Sequence, residues 1–168
     1  MTQRLVILTI LFVVIVFFAY QGIRALTLKR EAAKGIQRIP SINLTRVDGT
    51  HNNLNELDSR KNLIVILFSS ECPYCHDKAL QLERHADTLT DHLIVFVSAE
   101  PLSQIDRFRG DMGLDCLPNF QFYQASSEDI FSTFGTRKVP SVWIYGLDNQ
   151  IITGREGNLI FYIDQICE

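Results

Sequence analysis

The segment that most narrows the choice of fold runs from residue 63 to residue 76. Leu63-Ile64-Val65-Ile66-Leu67-Phe68 is continuously apolar and is bounded by Lys61-Asn62 before and Ser69-Ser70 after. A short apolar run between polar bounds reads as a central parallel strand buried on both faces. Cys72-Pro73-Tyr74-Cys75 follows at once, and then a helical pattern. Cys75, Ala79, Leu82, Ala86 and Leu89 recur at steps of four, three, four and three, so they share one stripe. A strand that passes through a tight loop into an amphipathic helix leaves the two cysteines at the join.

The remainder of residues 41–168 alternates in the same way. Ile42, Leu44 and Val47 mark a short extended segment closed by the turn pair Asp48-Gly49, and Leu54 with Leu57 fits one helical turn. Residues 93–97 read as a second buried strand, and Leu102, Ile105, Phe108 and Met112 as the face of a second helix. A short strand is expected at 120–123. A brief helix is expected at 126–134, with a Ser126 cap and Glu128 and Asp129 in its first turn. Val139-Pro140 precedes a strand at 141–145, the turn Asp148-Asn149 leads to 151–153, and residues 159–166 close as an amphipathic helix. Strands alternating with helices, then a hairpin and a helix, describe an α/β sandwich. No repeat or low-complexity tract interrupts it.

Ahead of this body lies an apolar stretch. Residues 5–20 carry no charge and only Thr9 is polar; counted on to Ile23 the stretch is about 19 residues, or about 28 Å of helix, close to the hydrocarbon thickness of a bilayer. Residues 1–29 therefore read as a transmembrane anchor or a signal, and polar residues 30–40 as a linker. No small-x-small cleavage site of good quality follows the run, which favours an uncleaved anchor over a signal peptide. Arg24, Lys29 and Arg30 beyond the helix, against Arg4 before it, would by a positive-inside count put the body in the cytoplasm. The leading basic residue and apolar run resemble an export signal, and cysteine chemistry suits an oxidising compartment. The extracytoplasmic, periplasmic side is the placement adopted, with the charge count left in conflict.

The chain has 16 Lys and Arg against 19 Asp and Glu. The first 29 residues hold three of the basic residues and no acid, leaving 13 against 19, a net charge of −6, for the rest. A mildly acidic body argues against nucleic acid as a partner. With 46% hydrophobic and 21% charged residues the chain is a folding one, and four cysteines are too few for a disulfide scaffold.

The chemistry thus rests on Cys72 and Cys75. Pro73 suits the first helical position, where a missing N–H costs nothing. Cys72 then falls at the helix cap, facing unsatisfied N–H groups and the positive end of the dipole, which favours thiolate over thiol. Cys75, one turn later on the apolar stripe, is shielded, and three residues of separation bring the sulfurs within bonding reach. Cys72 reads as the attacking thiolate and Cys75 as the resolving thiol. A zinc half-site would need two further ligands at short spacing, whereas Cys116 and Cys167 are isolated and His76 lies off the stripe. Cys72-Pro73-Tyr74-Cys75-His76 also matches the c-type haem attachment pattern, with Met112 as a distal ligand, and this is the rival from another class. A buried strand ahead of the motif and the Pro140 element speak against it. No cofactor and no metal is expected.

Taken together, the apolar strand, the Cys-Pro-Tyr-Cys motif and Val139-Pro140-Ser141 resemble the thioredoxin superfamily over about residues 41–168. The anchor and the segment 42–49 look most like its exported TlpA/ResA-type branch. The resemblance implies a thioredoxin-like α/β fold and thiol–disulfide exchange on cysteine-containing exported proteins, as a reductant re-reduced by a membrane electron carrier. It further implies a cis Pro140 facing the cysteines, with the Val139 backbone, Pro73 and Tyr74 available to an extended substrate segment. Thioredoxins usually carry Trp before the first cysteine and a buried acid in the preceding strand. Here Glu71 stands before Cys72 and the strand is apolar, so Glu71 or Asp77 is the nearest acid, at neither family position. A peroxiredoxin-type peroxidase shares the fold, but its Pro-x-x-x-Thr-x-x-Cys signature is absent. Cys116 reads as a small core residue or a second redox partner, and Cys167 as a small core residue on the apolar face of the last helix. Arg137 and Lys138 read either as positive potential near Cys72 or as a solvated loop, and His51, His85 and His92 as surface residues. Phe120, Phe122, Phe131, Phe134 and Trp143 read as core or groove wall.

Overall fold

A computed structural model describes residues 36–57 and 60–156, with positions 12, 14–18, 20 and 21 of the amino-terminal run. In chain order the elements are β1 (Asn43–Arg46), β2 (His51–Asn53), β3 (Asn62–Leu67), α1 (Pro73–Arg84), β4 (His92–Ser98), α2 (Leu102–Asp111), β5 (Phe120–Gln124), α3 (Ser127–Phe134), β6 (Ser141–Tyr145) and β7 (Ile151–Glu156). The seven strands form one mixed sheet in the order β2-β1-β5-β4-β3-β6-β7. β3 pairs parallel with β4 and antiparallel with β6, β4 runs parallel to β5, and antiparallel hairpins close both edges.

The unbroken apolar character of β3 is explained by its place in the middle of the sheet. Side chains alternate between faces along a strand. Ile64 and Ile66 pack with Cys75, Ala79 and Leu82 of α1 and with Ile105 and Phe108 of α2. Leu63, Val65 and Leu67 pack on the opposite face with Ile130 and Phe134 of α3 and Trp143 of β6. With helices on both faces, neither face of β3 meets water, and no polar alternation is required. Phe68 ends the run inside an aromatic cluster. Its ring centroid lies 4.7 Å from that of Phe108, and Phe96 stacks on Phe122 at 4.6 Å. Its N–H donates to Val97 O at 3.1 Å, so the strand end is fixed just before the cysteine loop.

The local punctuation follows side-chain chemistry. Ser126 caps α3 by accepting from Asp129 N at 3.0 Å, while its hydroxyl donates to the Asp129 carboxylate at 2.7 Å. Gly135 ends that helix in the left-handed region at φ 70°, its N–H donating to Phe131 O.

Several elements differ from the sequence reading. The stripe through Leu89 is not one helix: α1 ends at Arg84, and Ala86–Leu89 forms a separate 3-10 turn with Leu89 still buried. Thr88 N and Oγ both donate to His85 O, which draws the chain into the tighter turn. Residues 36–40, read as linker, lie against the body. Ile36 and Ile39 pack on the α3-side core, and Arg38 bridges to Gln150 beside β7. β4 starts at His92, which is 6% exposed rather than on the surface, because it continues the central strand. Cys116, read as a small core residue, is exposed in the loop after α2. The described positions of the amino-terminal run are helical. Among the described residues no helix is long and apolar enough to cross a membrane. The expected helix at 159–166 and Cys167 lie outside the described residues.

Two stability predictions arise here. Burial pushes His92 below its ordinary value near 6.5, with Asp91 opposing and Lys61 assisting. As pH falls, the unfolded chain takes up this proton first, so the group costs stability only below about 6.5. Urea midpoints are expected to drop between pH 7.5 and 5.5, and by less in His92→Gln; equal drops in both proteins would place the acid sensitivity elsewhere. Gly154 pairs with Trp143 across β6 and β7, and a Cβ there would lie 2.7 Å from Trp143 Cδ1. Gly154→Val is expected to cost about 1–3 kcal/mol by overpacking, and an unchanged thermal midpoint would refute that close contact.

Candidate dithiol site

The turn after β3 delivers two cysteines to different environments. Pro73 is the first helical residue of α1, which leaves Cys72 at the cap position with extended backbone, φ −88° and ψ 113°. Cys72 O accepts from Cys75 N at 2.9 Å and from His76 N at 3.2 Å, so the first turn closes directly on it. The Cys72 sulfur is half-buried, whereas Cys75 is 2% exposed beneath it on the α1 stripe. Both are free thiols here.

The Cys75 thiol is pushed up to about 12. Burial is the main cause; contact with the backbone of Ser69 opposes it, and a hydrogen bond and charge interaction with Cys72, with the charge of Glu100, add to it. The two sulfur-bearing side chains are therefore close to one another across the first turn, one able to meet solvent and one held protonated. This is the arrangement a nucleophile and a resolving partner need.

On the far side of Cys72 stands the loop before β6. The Val139–Pro140 peptide bond is cis, the geometry the resemblance implies. Cys72 Sγ lies 3.9 Å from Val139 O. Val139 and Pro140 are half-buried, and Val139 touches both cores of the sheet, which fixes it at the seam. Beside Val139 lies a cavity of about 80 Å³ floored by Leu67 and Val97 and walled by Ile130 and Arg137. Pro73 is exposed, and Tyr74, 73% exposed, projects from the start of α1. Cys72, Cys75, Val139 and Pro140 are thus brought together, and Pro73 and Tyr74 form the outer lip.

Other sequence candidates fall elsewhere. Glu71 and Asp77 are exposed. Arg137 places its guanidinium 4.7 Å over the Phe131 ring, a contact that holds it on α3. His76 turns Nε2 onto Ser70 O at 2.6 Å and packs edge-on against Phe108, so the nitrogen that a haem iron would need is already engaged. Among the described residues no three His, Cys, Asp or Glu side chains converge as metal ligands. The acid that does reach the site is Glu100, which receives hydrogen bonds from Ser69 and Ser70 in the cysteine turn. The sequence signal for it was its place between a buried strand and Pro101, at the carboxyl ends of the parallel strands where α/β folds build their sites.

By sequence, neither a protein-family model nor a curated protein matches the chain. Solved structures do match in fold. A secreted Mycobacterium tuberculosis disulfide oxidoreductase, described as homologous to E. coli DsbE, superposes with a TM-score of 0.63 at 14% identity, over 76% of this chain and 95% of that one. A thioredoxin-like protein from Aeropyrum pernix gives 0.63 at 16% identity, over 89% and 96%. A peroxiredoxin-like protein from Aquifex aeolicus gives 0.63 at 11%, over 78% and 84%. These likenesses establish a thioredoxin-like α/β fold.

The contrast between the thiols gives a direct prediction. Brief iodoacetamide treatment of the reduced chain near pH 7.5, with peptides resolved by mass spectrometry, is expected to modify Cys72 and the exposed Cys116 and to spare Cys75. Labelling of Cys75 as fast as Cys72 would contradict the burial described.

Proposed function

We propose that the chain is a thiol–disulfide oxidoreductase that works through Cys72 and Cys75. The carrying observation is the half-buried Cys72 at the cap of α1, one turn from the buried Cys75 and facing Val139 of the cis-proline loop. The Cys72 thiolate attacks a substrate disulfide, forming a Cys72–substrate bond and expelling one substrate sulfur, which takes up a proton. Cys75 then loses its proton and attacks Cys72 Sγ, closing the Cys72–Cys75 disulfide and releasing the second substrate sulfur as a thiol. Two electrons pass to the substrate, and a dithiol or membrane electron carrier must return them. The exposed Tyr74 and Pro73 and the Val139 backbone form the surface an extended substrate segment would lie along.

The finer assignment follows from the sequence. The apolar amino-terminal run tethers the domain to a bilayer on the extracytoplasmic side, its substrates are cysteine-containing exported proteins, and it acts on them as a reductant in the manner of the TlpA/ResA-type branch. The fold likeness to a secreted disulfide oxidoreductase supports the thiol–disulfide exchange, while the tether and the reductant direction rest on the sequence resemblance. A peroxidase reading shares the fold alone, and a haem reading has to free His76 from Ser70 and Phe108.

The roles separate by substitution. Cys72→Ser is expected to abolish reduction of a model disulfide, and Cys75→Ser to accumulate mixed disulfides visible on non-reducing gels. Full activity in both variants would end the assignment. Alkylation trapping in cells reads the direction: a mostly reduced pair supports a reductant, a mostly oxidised pair an oxidase.

A further inference from the structure

Glu100 stands just after β4 and is half-buried at the carboxyl ends of the parallel strands. Its Oε1 accepts from Ser69 Oγ at 2.7 Å and from Ser70 N at 3.1 Å, and its Oε2 accepts from Ser70 N at 2.9 Å. Its own backbone is held in turn: its N–H donates to Ser98 Oγ at 3.2 Å and its carbonyl accepts from Gln124 Nε2 at 2.9 Å. One side chain thus ties the β3–α1 turn to the ends of β4 and β5. That turn is what sets Cys72. Cys72 N donates to Ser69 O at 3.2 Å and Glu71 N to Ser69 Oγ at 3.3 Å.

We propose, on the exchange chemistry assigned above, that Glu100 is a positioning residue: it fixes the Ser69-Ser70 turn that carries Cys72 and holds a negatively charged carboxylate against that turn, so that attack on substrate runs through Cys72 alone. Burial pushes the Glu100 carboxyl up, but hydrogen bonds from Ser69, Ser70 and Ser98 outweigh it and hold the group below its ordinary value. It is therefore ionised at neutral pH, and its charge opposes a thiolate on Cys75. When Cys72 bonds to substrate it ceases to be a thiol, and its contribution to holding Cys75 protonated disappears. Cys75 then attacks Cys72 Sγ, and its proton is matched by the one the departing substrate sulfur takes up. The other titratable groups around this network are His76 on the Ser70 carbonyl and Arg137 across the small cavity that Ser98 and Ala99 line.

The experiment uses the reduced full chain carrying Cys72→Ser, with iodoacetamide labelling of Cys75 followed by mass spectrometry between pH 7 and 10. Glu100→Gln keeps an acceptor for Ser69 and removes the charge, and Cys75 labelling at pH 8.5 is expected to rise about three- to tenfold, the tenfold limit being one pH unit in the midpoint. Glu100→Asp restores the parent profile within about twofold. A Glu100→Gln profile that superimposes on the parent, or a Glu100→Asp profile that matches Glu100→Gln, overturns the charge role. Ser69→Ala, which keeps the charge, reads the positioning role independently. With Cys72 present it is expected to slow reduction of a model disulfide at least threefold while leaving Cys75 labelling within about twofold of the parent, and unaltered reduction overturns that role. A parent chain that reduces no disulfide at all overturns the exchange chemistry, and the positioning role with it, whereas the labelling profiles still read the charge on Cys75.

Discussion

The start of α1 falls one residue after Cys72, and that register makes the cysteine pair asymmetric. Proline at the first helical position offers no N–H to be satisfied and holds the φ a helix needs, so the helix begins there and not earlier. Cys72 stays outside the helix with extended backbone, while Cys75 lies one turn inside, on the stripe that packs against Ile64 and Ile66. Moving the helix start by one residue would rotate Cys75 off the buried stripe by about 100°, the angle per residue at 3.6 residues per turn. The contrast in burial would then be lost.

The rest of the fold holds that register in place. β3 is clamped between β4 and β6 along its whole length, and Phe68 continues it into the aromatic cluster with Phe96, Phe108 and Phe122. Side chains this tightly interlocked leave the strand end little freedom. The turn that follows has few apolar anchors and is held by hydrogen bonds to Glu100 instead. Across the site, Val139 is held by both cores at once, so the surface opposite Cys72 is as firmly placed as the sulfur itself. In the proposed reaction such rigidity holds Cys72 and the opposing backbone in register for a substrate segment, lowering the entropic part of the barrier.

Much of this was legible because β3 and the cysteine motif are local signals. The apolar run, the Ser126 cap, the strand at 141–145, the face of α1 as far as Leu82 and the face of α2 depend on neighbours in sequence, and each stands where its pattern placed it. What escaped the sequence depends on distant partners. His92 looks like a surface residue until it pairs with Asn62 of β3 and Asn119 bonds its carbonyl, and Cys116 looks apolar until the loop after α2 turns it to solvent. The break in the α1 stripe comes from Thr88 bonding to His85, a choice that apolar periodicity does not encode. Glu100 escaped because an acid between a buried strand and a proline marks the end of the sheet but names no partner. Only the sheet brings it to Ser69 and Ser70, across 30 residues of chain.

The central claim is that Cys72 and Cys75 form one two-electron couple. Equilibrating the full chain in dithiothreitol or glutathione buffers of graded potential, then mapping its disulfides by mass spectrometry, tests it most directly. A single transition with a slope of about 30 mV per decade, yielding a Cys72–Cys75 disulfide, is the predicted result. A pair that stays reduced across the whole range, or a disulfide that joins either cysteine to Cys116 instead, would contradict it.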